Sequence, residues 1–220
     1  MTTRRWLRLT GWAGIIGPVL FTLTFVGQEL FRMEEYSPMA EPVSALAAGS
    51  NGWIQDVNFV VFGVLTMIFA VGLHLGLRPT RFGVVGPALF FVTGIANIMG
   101  GLFFPLREDA AGVTYDPGGH QQVGMTFFLG STLALIVISF RVARDPAWRG
   151  LWVFIVAVAV ALVVGNMIMV RLVIPDDAPL HEWAGLAQRI LVLGLLFPAR
   201  IALSYRMIRT GREQAVRATP

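Results

Sequence analysis

The chain has neither cysteine nor lysine, and charge is scarce: 14% of its 220 residues are Asp, Glu, Lys or Arg, against about 25% in an ordinary soluble chain. Without cysteine there are no disulfides, thiolate metal sites or cysteine nucleophiles. Without lysine there is no amine for a retinal or pyridoxal Schiff base; all 17 basic residues are arginine. No acid sits near the middle of any apolar run, so a proton relay or ion-coupled carrier lacks its usual coupling group. No arginine series resembles a voltage sensor.

What the chain does have is apolar surface. Hydrophobic residues make up 55% of it, enough for about six spans of about 20 residues each, and more than a soluble domain can bury. Six apolar stretches stand out, at about 12–31, 57–77, 83–106, 121–140, 151–173 and 184–205. Each is long enough to cross a hydrocarbon core about 30 Å thick. Each must be helical, because no water is present there to satisfy the backbone. The runs do not alternate in polarity, which excludes a barrel. The expected fold is therefore all-α: one membrane domain over residues 1–220, a six-helix polytopic bundle. Arg4, Arg5 and Trp6 before the first apolar run imitate a secretory signal. The small-x-small site Ala45-Leu46-Ala47 comes too late for cleavage, so the segment reads as an uncleaved first span.

The arginines are sorted by side. Arg4, Arg5, Arg8, Arg78, Arg81, Arg141, Arg144, Arg149, Arg206, Arg209, Arg212 and Arg217 flank one set of span ends, which the positive-inside rule makes cytoplasmic, with both termini. Glu29, Glu34, Glu35, Glu41, Asp56, Glu108, Asp109, Asp116, Asp176, Asp177 and Glu182 gather at the other ends. This pattern places the protein in a cell (inner or plasma) membrane. It also accounts for the +4 net charge without nucleic acid, which needs a clustered basic face.

The outer connections carry the complexity. The first, residues 32–56, is too long to be structureless. Pro42 is placed to open a short helix, with Val43, Leu46 and Ala47 on one face and Gly49 ending it, lying over the mouth of the bundle. On the third span Pro87, Gly94 and Gly101 form a small-residue stripe near Asn97; on the fifth, Ala157, Ala161 and Gly165 do the same. Asn97 and Asn166 read as hydrogen bonds across helix contacts. Arg200 and Arg171 read as snorkelling side chains.

Polar residues inside a bilayer mark candidate sites. Arg189 lies about 8 Å inside the sixth span at 1.5 Å per residue, beside Gln188 and one turn below Gly185. It is read either as half of a structural ion pair with Glu29, Asp116 or Glu182, or as the receptor for an anionic or polar head. His74 is too far in depth from the other histidines to share a haem with them. His120 and His181, with Asp116 or Glu182 nearby, fall at the outer boundary; His120, His181 and Asp116 are possible zinc ligands, although no HExxH motif is present. Ser44 is a possible nucleophile with a histidine base, although there is no GxSxG elbow.

The same residues carry a family pattern. Tyr36-Ser37-Pro38, Ser44-Ala45-Leu46, Asn58 and Gly63 come first; Phe104-Pro105 with Asp116 and His120 follow; Gly185-Leu186 and Gln188-Arg189 close it. In order, at one membrane level and over most of the chain, they resemble domain-of-unknown-function family 998. The resemblance implies a six-helix membrane protein and names no reaction. Family members often place an aspartate just after Phe-Pro; here Leu106-Arg107-Glu108-Asp109 follows, so both Asp109 and Asp116 are candidates for the matching acid.

These observations lead to an outward-facing pocket of Asn58, Asp116, His120, His181, Gln188 and Arg189, lidded by the Ser44 segment. It is expected to bind a membrane lipid head group or a small amphipathic molecule, with no cofactor required. Two other readings remain: a metal-assisted hydrolase or transferase acting on a lipid, with zinc on His120, His181 and an acid, and a structural or partner-assembly protein. Oligomeric state is not written in the sequence.

Overall fold

The computed structural model describes residues 3–77, 83–175 and 177–216, with side chains over 5–77, 83–175 and 177–211. Arg78, Arg81, Asp176 and Arg217, and the side chains of Arg4 and Arg212, which entered the charge pattern, lie outside the described residues.

Six long apolar helices, each fit to span a membrane, make up the fold. They are α1 (Thr3–Phe31), α2 (Trp53–Gly76), α3 (Val85–Leu102), α4 (His120–Arg144), α5 (Trp152–Ile168) and a sixth span made of α6 (Ala184–Arg189) and α7 (Phe197–Val216). The helices overrun the apolar runs at several ends. α1 begins nine residues before position 12 and α4 runs on to Arg144, because helix persists into the polar zone once a span has nucleated it. α3 is the exception and stops at Leu102, short of 106. Pro105 disfavours helical backbone at the residue before it, and the turn closes with the Phe103 and Phe104 N–H groups on the Met99 carbonyl, at 2.9 and 3.0 Å.

Small residues set the packing. A Cβ on Gly94 would lie 2.7 Å from the Gly63 carbonyl oxygen, and one on Gly63 2.5 Å from that of Gly94, so the α2 and α3 backbones touch only because both side chains are absent. α1 meets α7 in the same way: Gly11 faces Ile208, Gly14 faces Ser204 and Gly17 faces Arg200. These pairings run antiparallel and bring both described chain ends to one end of the bundle, the terminal end. The opposite, loop end carries the long connections. The fifth-span stripe is only partly used: Gly165 packs on Leu191, while Ala157 is exposed. Asn166 does bond across a contact, to Thr132 Oγ1 at 3.0 Å. Asn97 does not, and donates instead to Thr93 O in its own helix at 2.8 Å.

Two spans contain wide π turns, Met169–Val173 after α5 and Ile190–Leu196 between α6 and α7. The second ends at Leu196, two residues before Pro198. A proline has no N–H and its ring crowds the carbonyl four residues back, here Gly194, so the ladder is displaced at that point.

Arg200 corrects its snorkelling reading. It is 2% exposed, with Nη1 on Thr66 Oγ1 at 2.6 Å and its guanidinium 4.8 and 5.0 Å from the Phe62 and Phe69 ring centres. Its Nε and Nη2 are buried without a partner among the described residues. The two aromatic faces supply attraction that water would otherwise give the cation.

The first loop does contain the expected short helix, but as a five-residue 3-10 turn, Val43–Ala47, with Pro42 as its extended cap and not its first residue (φ −66°, ψ 152°). Val43, Ala45, Leu46 and Ala47 are all buried. The segment is plugged into the bundle on more than one face, too short for an amphipathic α-helix to lie flat. The second loop adds a hairpin, β1 (Arg107–Glu108) with antiparallel β2 (Thr114–Tyr115), which the sequence pattern did not announce.

Candidate functional site

Several side chains hold the plug down; Arg32 donates through Nη1 to the carbonyls of Leu46 and Ala48 at 3.2 and 2.9 Å. Arg189, at the last position of α6, donates through Nη1 to the carbonyls of Glu41 (3.0 Å) and Gly185 (2.9 Å). Through Nη2 it donates to the Tyr36 hydroxyl (2.6 Å) and the Glu29 carboxylate. Both side chains of the Arg189–Glu29 ion pair are 12% exposed. The guanidinium also lies 5.9 and 5.8 Å from the Phe25 and Tyr36 ring centres. Gln188 continues the clasp by accepting the Val43 N–H at 2.7 Å through Oε1, and the Leu186 N–H reaches the Met39 carbonyl at 3.0 Å. Gly185 is obligatory here, since a Cβ would strike the carbonyls of Pro38 and Glu41. Tyr36 bonds the Glu41 and Pro42 carbonyls at 3.0 and 3.1 Å. Burial pushes its phenol up to about 12, against the opposing pull of the Arg189 charge.

Beneath the plug lies a cavity of about 80 Å³. Its loop-end wall carries Ser44, Asn97, His120, Gln188 and Arg189. One to two turns deeper the lining is apolar, with Phe21, Phe127, Phe128, Val192 and Leu193. Gly100 and Gly124 leave the wall thin, and a Cβ at Gly124 would meet nothing within 4 Å. The His120 Nδ1 is 2.7 Å from the Phe104 carbonyl. A carbonyl only accepts, so Nδ1 holds the proton and Nε2 is the basic nitrogen of the neutral ring. Among the described residues the Ser44 hydroxyl has no hydrogen-bond partner. The cavity thus joins polar groups to an oily floor.

The structure thus brings together Ser44, His120, Gln188 and Arg189, and leaves three residues of the sequence-derived set outside the lining. Asn58 is 4% exposed and fastens α2 to α1, donating to Phe21 O at 3.1 Å and Gln55 Oε1 at 3.2 Å. Asp116 caps α4: Oδ1 accepts the N–H groups of Gly118 (2.8 Å) and His120 (3.2 Å), and Oδ2 that of Gln121 (3.0 Å). The little burial it has raises its pKa, but those backbone donors outweigh this and hold the carboxyl below its ordinary range. Asp109 serves its own turn, accepting from Ala111 and Val113 at 2.8 and 2.9 Å. His181 bonds the Val173 carbonyl at 3.1 Å, closing the third loop on the end of the fifth span. His120 and His181 are each committed to a different carbonyl, and among the described residues no three His, Asp or Glu side chains gather as a metal site.

Of the three counter-ions considered for Arg189, Glu29 is the partner. Tyr36 was visible only as part of a motif, and its hydroxyl contact spans 153 residues. Asn97 reads as packing in the sequence and proves to line the cavity. Its place next to the Gly94–Gly101 stripe was the available signal.

Residues 15–204 match the family model described as protein of unknown function (DUF998). No curated protein and no solved structure is significantly similar to the chain. The match covers most of the sequence, and the chain belongs to the DUF998 family.

Proposed function

We propose that this DUF998 member is a multi-pass protein of the cell (inner or plasma) membrane, and that its cavity holds a small amphipathic molecule or the end of a membrane lipid. In this reading the terminal end faces the cytoplasm and the loop end faces outward. The arginine distribution supports that orientation.

The observation that carries the ligand reading is one cavity whose loop end gathers hydrogen-bonding groups beside Phe25 and Phe59, over aromatic and aliphatic walls below. Arg189 narrows the class of head group. Its charge is matched by Glu29 and both Nη atoms are engaged, so the mouth presents little free positive charge. A hydroxyl, ester, amide or zwitterionic head suits Ser44, Asn97, His120 Nε2 and Gln188 better than a bare anion does.

The test fills the space without disturbing the clasp. Gly124→Leu adds a side chain toward open room. In phosphatidylcholine nanodiscs, spin-labelled lysophosphatidylcholine should show an immobilised component with the wild type, and spin-labelled stearate, a bare anion, a weaker one. Gly124→Leu should weaken that binding about tenfold, the equivalent of about two methylenes, with an unchanged unfolding temperature. Equal binding by both proteins would refute the reading.

A second reading has its own observation: Ser44, whose hydroxyl has no partner among the described residues, and His120, with an acceptor Nε2, line the same cavity. Ester hydrolysis would use that pair as nucleophile and base. Labelling by a fluorophosphonate probe, abolished in both Ser44→Ala and His120→Ala, supports it; absence of labelling of the wild type rejects it.

A further inference from the structure

The bundle carries a second concave surface, remote from the clasp. Between α4 and the fifth span run two adjoining apolar grooves of about 370 and 540 Å³ that share Ile136 and Val163. The first ends at Arg171 and the second at Arg144. From Trp152 at one end to Arg171 at the other is about 28 Å of helix, close to the roughly 30 Å hydrocarbon thickness of a bilayer. The slot therefore crosses the whole apolar core, with an exposed guanidinium at each head-group level.

Its interior is suited to hydrocarbon. The polar side chains along it are already satisfied within the protein: Asn166 by Thr132 and the Leu162 carbonyl, Thr132 by Phe128 O and Ser139 by Ile136 O. None offers a spare donor to a partner. The fifth span is also the least covered, with 22% of its most apolar window buried against 33–50% for the other five.

We propose that this groove is a binding site for glycerophospholipid, with acyl chains lying along Ile136 and Val163 and the phosphates on Arg171 at one rim and Arg144 at the other. Charge decides between lipid and a second copy of the chain. Two copies packed side by side through this face, related by an axis along the membrane normal, set Arg171 against Arg171 and Arg144 against Arg144, a like-charge contact at both ends. Among the described residues Arg171 has no ion-pair or hydrogen-bond partner and Arg144 reaches only the Phe140 carbonyl of its own helix, at 3.5 Å. A phosphodiester supplies the missing negative charge in a geometry that a guanidinium accepts through two N–H groups.

The experiment uses full-length protein in nanodiscs of equal phosphatidylglycerol and phosphatidylcholine, with a trace of phosphatidylglycerol bearing a diazirine on its acyl chain. After photolysis, mass spectrometry maps the labelled peptides. The expected result is labelling concentrated around Ile136 and Val163, reduced several-fold by Arg171→Gln and removed by Val163→Trp, which fills the slot from a side chain already 38% exposed. Gly124→Leu, in the separate loop-end cavity, should leave this labelling unchanged, so the two sites fail or succeed independently. Uniform labelling of every lipid-facing helix, including the exposed Leu23 of α1, overturns the proposal. So does efficient disulfide formation between two copies of Val163→Cys, which the cysteine-free chain makes readable without background.

Discussion

The Arg189 guanidinium and the Glu29 carboxylate, 160 residues apart in sequence, form a shielded ion pair that ties the sixth span to the first. Tyr36 and two backbone carbonyls complete the set. Removing one partner leaves the other charge shielded from water and unmatched. Arg189→Ala is therefore expected to destabilise by about 3–5 kcal/mol. Replacing both residues by methionine should recover much of that loss. Thermal unfolding of the two single variants and the double variant in detergent measures the coupling; additive losses would mean the pair contributes nothing of its own.

Tyr36 predicts a pH dependence. Its phenol is pushed from the ordinary value of 10.0 up to about 12 in the fold, chiefly by burial. A raised folded-state value means that the neutral form is favoured, so its contribution is complete below pH 10 and declines between pH 10 and about 12. The difference in 295 nm absorbance titration between wild type and Tyr36→Phe should isolate one late-titrating tyrosine. The same variant removes the hydroxyl shared by Arg189 and the Glu41 and Pro42 carbonyls, at a cost of about 1–2 kcal/mol.

Arg200 predicts a gain. Two of its nitrogens are buried without partners, and a charged side chain deep in a span costs about 2.5–3.5 kcal/mol on the insertion scale. Arg200→Met keeps much of the volume and removes that cost, so its unfolding temperature should rise. A fall would show that the Phe62 and Phe69 faces outweigh the missing hydrogen bonds.

Asp116 is expected to act on α4 and not on ligand. Asp116→Ala should cost about 0.5–2 kcal/mol, the range for a lost helix cap. Hydrogen exchange should quicken at Gly118, His120 and Gln121, the three N–H groups it holds. Because its carboxyl sits below the ordinary range, this contribution is present above that range and is lost only as the pH falls through the lowered value.

The number of spans, their helical state and the close approach at Gly94 and Gly101 were legible in the sequence, because a bilayer leaves a long apolar run only one backbone solution and small residues only one obvious use. Arg189 stood out for the same reason, as a charge where charge is costly. The partners of these groups were decided by the tertiary structure. Asn58, Asp116 and His181, which residue counting alone puts beside the cavity, serve a helix contact, a helix cap and a loop closure, while Asn97 turns from presumed packing to cavity wall. Depth along a span follows from counting residues at a fixed rise, whereas the direction a side chain faces depends on how neighbouring helices are rotated and on the wide turns before Pro198, and only the packed bundle fixes those.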